Sequence, residues 1–220
     1  MKPLYLRIAV LVIAVILLAA CLEYESQIQV NPDGSGSAIL TYTVPEGFLA
    51  QSDLGDRIPL TEADVDASYR MRAGVTQHRS QVRHIGDSRE VTIHVDFDNV
   101  ASLSERGNEY SYEIEGPYRV FRIRINREAA GLGRGNQARN NPLHDMAMRN
   151  IVDQHSIRYE VQLPTRIDQS NAQSVDWNTA KWEIPLSTFL NPDKEVIVLE
   201  ARIRASRWEQ FKWRVSNLFG

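Results

Sequence analysis

The feature that most constrains the fold of this chain is a two-residue alternation of apolar and polar side chains, which recurs from residue 24 to the strand-like run at 194–204. Val91, Ile93, Val95 and Phe97 alternate with Thr92, His94, Asp96 and Asp98, and Phe121, Ile123 and Ile125 oppose Arg122 and Arg124. Successive side chains of a strand point to opposite faces, so each such segment buries one face and wets the other. Turn residues join the segments in pairs. Tyr24, Ser26, Ile28 and Val30 lead into Asn31-Pro32-Asp33-Gly34-Ser35-Gly36, and a β-prone run follows over 37–44. Proline presets φ and the glycines accept φ > 0, which predicts a hairpin. A second hairpin is expected over 75–85 and 89–98 around Gly86-Asp87-Ser88. A third runs from Tyr110 to Glu115, through Gly116-Pro117, to Tyr118–Asn126. Hairpin-linked alternation implies an antiparallel sheet with one solvated face.

Helical spacing is sparse. Thr61 is a candidate N-cap for a short surface helix reaching about residue 73, with Ala63, Val65 and Tyr69 as its apolar stripe. The glycine-rich stretch 127–141 has no apolar period and reads as a loop. Asn141-Pro142 then opens a helix to about residue 154, with Leu143, Met146, Ala147 and Ile151 on one face. Strands are expected at 156–163, 180–185 and 194–204, and Arg166 to Trp177 reads as polar and irregular. The fold class is therefore α+β: an antiparallel sheet built from hairpins with two or three packing helices, after an N-terminal signal segment. The boundaries are 1–20 for the signal, 21–205 for the ectodomain and 206–220 for a C-terminal helix.

Cys21 is the sole cysteine and follows Leu18-Ala19-Ala20 at the end of a run of Ile, Ala, Val and Leu over residues 8–20, behind Lys2 and Arg7. This is the layout of an export signal. A bilayer span needs roughly 20 apolar residues, more than residues 8–20 supply, and a plain secretory signal needs no cysteine. Leu18-Ala19-Ala20-Cys21 resembles a bacterial lipobox, which implies diacylation of Cys21 and cleavage before it. Each buried methylene contributes about 0.8 kcal/mol, so two or three acyl chains would hold the chain on a bilayer indefinitely. The lone cysteine also leaves no internal disulfide. A formal net charge of −3, which becomes more negative when Lys2 and Arg7 leave with the signal, argues against a nucleic-acid partner.

From Arg207 to Phe219 the period becomes helical, with Trp208, Phe211, Val215 and Leu218 on one face, Phe219 beside it, and Arg207, Lys212 and Arg214 around the rest. Aromatic residues against cations suit a membrane interface, and Trp208, Phe211, Trp213, Val215, Leu218 and Phe219 are the candidate contact residues. Packing of this helix on the sheet is the competing reading.

Other motifs carry less. His94, Asp96 and Asp98 share a strand face, but alternation places polar residues there in any case, and no metal is expected. Gly131-Leu132-Gly133-Arg134-Gly135 lacks the strand–helix context of a nucleotide loop. No Gly-x-Ser-x-Gly or His-Glu-x-x-His occurs, so no catalytic residue and no cofactor is assigned. Tyr110, Tyr112, Tyr118, Phe97, Phe121, Trp177 and Trp182 are expected to form the core, with an apolar groove for an acyl chain as the alternative.

Ile28-Gln29-Val30-Asn31-Pro32-Asp33-Gly34-Ser35-Gly36, Val161-Gln162-Leu163-Pro164, Ser170-Asn171-Ala172 and Asn178-Thr179-Ala180-Lys181-Trp182, together with Cys21, resemble the LppM-type bacterial lipoproteins. That envelope family is largely without an assigned function, and the likeness covers about residues 21–205. The resemblance implies an α+β ectodomain with an apolar cavity, association with envelope lipid or glycolipid, and no catalytic residues. Family members often end in a membrane helix, where this sequence has the amphipathic segment 207–219. The expectation is a non-enzymatic lipoprotein on the extracytoplasmic side of a membrane, binding lipid or glycolipid. The alternative is an envelope scaffold or adaptor that binds another protein through the polar sheet face or residues 127–141. Leu22, rather than Asp, follows the cysteine, which points to the outer membrane in a host that has one.

Overall fold

The computed structural model describes residues 23–46, 58–105, 107–126, 155–190 and 195–216. The signal segment, Cys21, the expected loop 127–141, the expected helix 142–154, Leu218 and Phe219 lie outside them.

The first hairpin forms where the turn chemistry puts it. Strand β1 (Glu23–Val30) pairs with β2 (Gly36–Pro45) from Glu23↔Thr43 to Val30↔Gly36. In the turn, the backbone N–H of Ser35 donates to Asp33 Oδ1 at 3.0 Å and the Ser35 hydroxyl donates to the same oxygen at 2.7 Å. These bonds from Ser35 hold the Asp33 carboxyl below its ordinary range. Gly34 has φ of 92°, and a Cβ on Gly36 would lie 1.9 Å from the Gln29 carbonyl oxygen. Only glycine fits at Gly36, because the partner strand's backbone occupies the side-chain position.

Helix α1 (Glu62–Tyr69) begins with a capping box: Asp64 N–H donates to Thr61 Oγ1 at 3.1 Å and Thr61 N–H donates to Asp64 Oδ2 at 3.0 Å. Val65 and Tyr69 are buried, whereas Ala63 is exposed. The helix stops at Tyr69 rather than near residue 73. The chain there turns through Arg72 N–H to Tyr69 O and Val75 N–H to Arg72 O, then passes Gly74 at φ of 81°. Strands β3 (Val75–Ile85) and β4 (Ser88–Phe97) make the second hairpin, and β5 (Asn108–Glu115) and β6 (Tyr118–Asn126) the third. Strands β7 (Ser156–Gln162), β10 (Thr179–Pro185) and β11 (Val196–Arg204) also stand close to their expected places.

Three expectations are corrected. The described strands form two sheets rather than one, of seven strands in the order β3-β4-β2-β1-β7-β10-β9 and four in the order β5-β6-β11-β8. Alternation tells which face of a strand is apolar but not which strands share a sheet. The apolar faces meet in one core, with Ile28, Val95, Val161 and Trp182 from the larger sheet and Phe121, Ile123, Leu199 and Ile203 from the smaller. The larger sheet is also not wholly antiparallel, since β1 and β7 run parallel from Tyr24↔Ile157 to Gln29↔Gln162. The chain between them passes through β2 to β6, the long crossover that parallel neighbours require. Lastly, the segment 166–177 contains β8 (Ile167–Ser170) and β9 (Ser174–Asp176). Each ends a row of its sheet, and Ile167 is their one buried position, so their sequence shows no period.

Asn171, between these short strands, ties the sheets together. Its Oδ1 accepts from Trp182 Nε1 at 2.8 Å and from Glu200 N–H at 2.9 Å, and its Nδ2 donates to Val198 O at 2.8 Å. The cross-strand rows then define two ends. Glu23, Thr43, Glu90 and Arg83 cross the larger sheet at one end, two residues from Cys21. Val30, Gly36, Phe97 and Val75 cross it at the other. An eight-residue β1 separates the two rows by about 23 Å.

Candidate functional site

The exposed aromatic side chains among the described residues, Trp177, Trp208 and Phe211, stand at the end of β1 away from Glu23. Helix α2 (Arg207–Ser216) follows β11 directly and starts with its own capping box. Ser206 N–H donates to Glu209 Oε2 at 2.8 Å, and Glu209 N–H donates to Ser206 Oγ at 3.3 Å. Glu209 has a second task, because its other oxygen pairs with the Arg119 guanidinium at the start of β6. Arg119 in turn lies over the Tyr112 ring, 4.8 Å from its centroid. Burial pushes the Glu209 carboxyl up, but the bonds from Ser206 and Arg119 outweigh it and hold the group below its ordinary range.

That clamp fixes which way the helix faces. Glu209 and Trp213, four residues apart, are half-buried on one side. Trp208 and Phe211 are 63% and 56% exposed, with rings stacked at 5.7 Å between centroids and 17° between planes, and Val215 continues their stripe into solvent. Arg207 and Arg214 are exposed beside it. Of the six residues expected at a membrane interface, the structure brings Trp208, Phe211 and Val215 together, sets Trp213 apart from them, and does not describe Leu218 or Phe219. The alternative of simple packing is met in part, since one face packs and the other does not.

Two contributors were not anticipated from sequence. The Ser206-x-x-Glu209 spacing is a readable capping signal, whereas nothing in the local sequence of Arg119 foretells a partner 90 positions later. Trp177 joins the same end: its carbonyl accepts from Ile167 N–H at 2.8 Å, and Ile167 lies across from Ile203 near the start of α2. Trp177, expected in the core, is instead 62% exposed, in a left-handed turn with φ of 47°. A residue other than glycine in that region marks a position held by its surroundings.

The other aromatics fill the core. Phe97, Tyr110, Phe121 and Trp182 are buried, and Tyr112 and Tyr118 are half-buried. Tyr24 and Tyr159 pack at 5.8 Å, and burial pushes the Tyr24 hydroxyl up to about 12 and those of Tyr110 and Tyr159 up as well. These side chains fill the space between the two described sheets, and the alternative of a groove between the sheet and the helix expected at 142–154 lies outside the described residues. Two surface depressions among the described residues have mixed linings. One of about 470 Å³ is lined by Ser37, Ala38, Ile39, Gln77, His78, Arg79, His94 and Asp96, and one of about 300 Å³ by Tyr159 and Trp182 together with Glu25, Arg158, Glu160, Gln173, Ser174, Lys181 and Glu183.

His94 does not meet Asp98 in a ligand set: its Nδ1 sits 3.5 Å from Arg79 Nη2. No group of three His, Cys, Asp or Glu among the described residues could hold a metal ion, and no described helix is long and apolar enough to cross a membrane.

Neither the protein-family models nor the curated proteins give a match to this chain. Among solved structures it is similar to the NMR structure of the folded domain of Mycobacterium tuberculosis LppM, at 11% identity and a TM-score of 0.48, over 87% of this chain and 94% of that one. The likeness is a distant one of fold and carries nothing about activity, ligand or partner.

Proposed function

We propose that this chain is an exported lipoprotein, acylated at Cys21, that keeps a non-enzymatic domain on the extracytoplasmic face of a membrane and engages lipid with its surface rather than in an internal cavity. The observation that carries the reading is the stacked Trp208–Phe211 pair, presented to solvent on a helix whose opposite face is clamped by Glu209 to Arg119. Amphipathic helices with aromatics and flanking arginines partition into the headgroup boundary. A tether at Cys21 keeps the local concentration of bilayer high, so a weak interfacial helix suffices. With the tether at one end of β1 and α2 at the other, about 23 Å apart, contact at both places lays β1 along the bilayer. Filling of the core by Phe97, Tyr110, Phe121 and Trp182 supports a surface role over an enclosed ligand.

The test is fluorescence of the acylated chain in vesicles containing brominated lipid. Quenching is expected, and Trp208→Ser/Phe211→Ser should remove most of it while the chain stays in the membrane fraction. Equal quenching in the variant would remove α2 from the interface and leave the tether as the attachment.

A further inference from the structure

The sheet edges differ. Among the described residues β9 offers three residues and β8 four. The edge of β5 is partly covered, since Asn108 bridges Glu105 and Tyr110 N–H donates to Ser104 Oγ at 3.0 Å. Strand β3 is eleven residues long, pairs with β4 on one side, and has no buried position. Proteins ordinarily protect a long edge by shortening, bulging or covering it. Here the protection stops early: the register shifts between Val75 and Gln77, and α1 reaches the strand at His78, whose Nε2 lies 3.0 Å from Asp66 Oδ1. Arg79 to Ile85 continue beyond both.

The chemistry of that stretch is one-sided. Strand β3 contains no acidic residue and no proline, and Arg79 and Arg83, four positions apart, project from the same face. Arg79 meets His94 at 3.5 Å and Arg83 donates to Gln81 Oε1 at 2.9 Å. Neither is among the guanidinium groups that have a carboxylate within 4 Å, as Arg72, Arg89, Arg119 and Arg122 do. Among the described residues, an open backbone edge thus coincides with two guanidinium groups that have no carboxylate within 4 Å, although Glu90 on β4 stands cross-strand from Arg83.

We propose that β3 accepts an added strand from an acidic extended segment of another protein, with carboxylates four residues apart on that segment set against Arg79 and Arg83. Directly opposed side chains of paired strands lie close enough for such charges to interact, and backbone pairing along an open edge supplies the rest of the affinity. A second copy of this chain fits less well. Self-pairing of β3 would bring four guanidinium groups onto one ladder. The acidic strand β5 has its edge partly covered and its Glu109 and Glu115 already beside Arg124 and Arg122. The inference is independent of any membrane role for α2.

The test uses the full chain in detergent micelles with an eleven-residue synthetic peptide of alternating threonine and glutamate, against its threonine–lysine counterpart. The glutamate peptide should bind and slow amide exchange in β3, and the lysine peptide should not. Arg79→Glu/Arg83→Glu should weaken the glutamate peptide roughly tenfold and admit the lysine peptide. Arg79→Gln/Arg83→Gln should fall between, with the unfolding midpoint unchanged in both variants. Failure of the glutamate peptide to bind, equal binding of the two peptides, or indifference to charge reversal would overturn the proposal. So would a concentration-dependent dimer that charge reversal abolishes, which would assign the edge to a second copy.

Discussion

The two ends of β1 are built in opposite ways. At the end next to Cys21, Val44 and Ser88 are buried and Arg89 Nη2 pairs with Glu46 at 2.7 Å, but His84 and Ile85 are exposed and the β3–β4 turn has open space around Gly86. At the other end the β1–β2 turn is crowded at Gly36, which lies against the Gln29 carbonyl, and a Cβ on Gly34 would make ordinary contact with Tyr112 at 3.6 Å. Tyr112 supports Arg119, Arg119 holds Glu209, and Trp208, Phe211 and Trp177 stand outward from that support. The contrast fits a division of labour. Acyl chains on Cys21 would supply attachment by themselves, so the near end needs no adhesive surface of its own. The far end can hold bilayer or partner only with side chains, and those must be kept in place by packing.

The largest effect expected is on the tether. Cys21→Ser should leave an unprocessed or soluble species and abolish palmitate labelling, because several acyl chains outweigh any single interfacial helix. An unprocessed variant would be held by its retained signal segment, whereas one that lost residues 1–20 and still stayed membrane-bound would shift the attachment to the far end and break the contrast.

Next come substitutions that weigh the packing of the two ends. Gly36→Ala should destabilise by about 3 kcal/mol in urea unfolding, since its Cβ meets backbone that has no room to move. Gly86→Asn should change stability by no more than about 0.5 kcal/mol, because asparagine tolerates φ of 63° and nothing lies within 4 Å. Asn171→Ala, midway along the sheets, leaves the N–H groups of Trp182 and Glu200 without their acceptor and should cost about 2–3 kcal/mol. If the two glycine variants behaved alike, the far end would not be the stiffer one.

These residues also show what sequence reading reaches. The hairpins were legible because turn chemistry and alternation are local: Asp33, Gly34 and Gly36 sit in the positions their conformational freedom suggests. The residues behind the resemblance proved to be structural ones, a turn at 31–36 and an Asn171–Trp182 bond joining two sheets. What was illegible is non-local. Nothing in the alternation distinguishes β6, which joins the smaller sheet, from β4, which joins the larger, and nothing near residue 30 announces a parallel partner at 157–162. Strands β8 and β9 escaped notice because a three- or four-residue edge strand with one buried side chain has no period to detect. For the candidate site, the exposed stripe of α2 followed from its spacing. The separation of Trp213 from that stripe did not, because it depends on where Glu209 finds Arg119.

A smaller effect is expected from the far end's surface. Trp208→Ser/Phe211→Ser in the unacylated Cys21→Ser background should lower vesicle affinity roughly tenfold, the loss of two partly inserted aromatic side chains. The unfolding midpoint should hold, because both rings are mainly in solvent. Trp177→Ser made alongside sharpens the comparison. A similar loss would extend the adhesive surface from α2 to the β9–β10 turn, and no loss would confine it to the helix.

The smallest effect concerns the clamp itself. The Glu209 carboxyl is held below its ordinary range in the folded chain, so its contribution is complete above the unfolded carboxylate value of about 4.3 and is lost as pH falls through the lower folded one. The pair is only partly buried, which limits its worth to about 1 kcal/mol. On titration from neutral to acid, protease access to the β11–α2 junction should rise below about pH 4, where protonated Glu209 no longer pairs with Arg119. Arg119→Met removes the partner but not the other carboxylates that titrate in this range, such as Asp33 and Glu115. That variant should expose the junction already at neutral pH and flatten its pH dependence. An unchanged acid step in Arg119→Met would mean that α2 is held by Trp213 and the chain's exit from β11, with the ion pair only accompanying it.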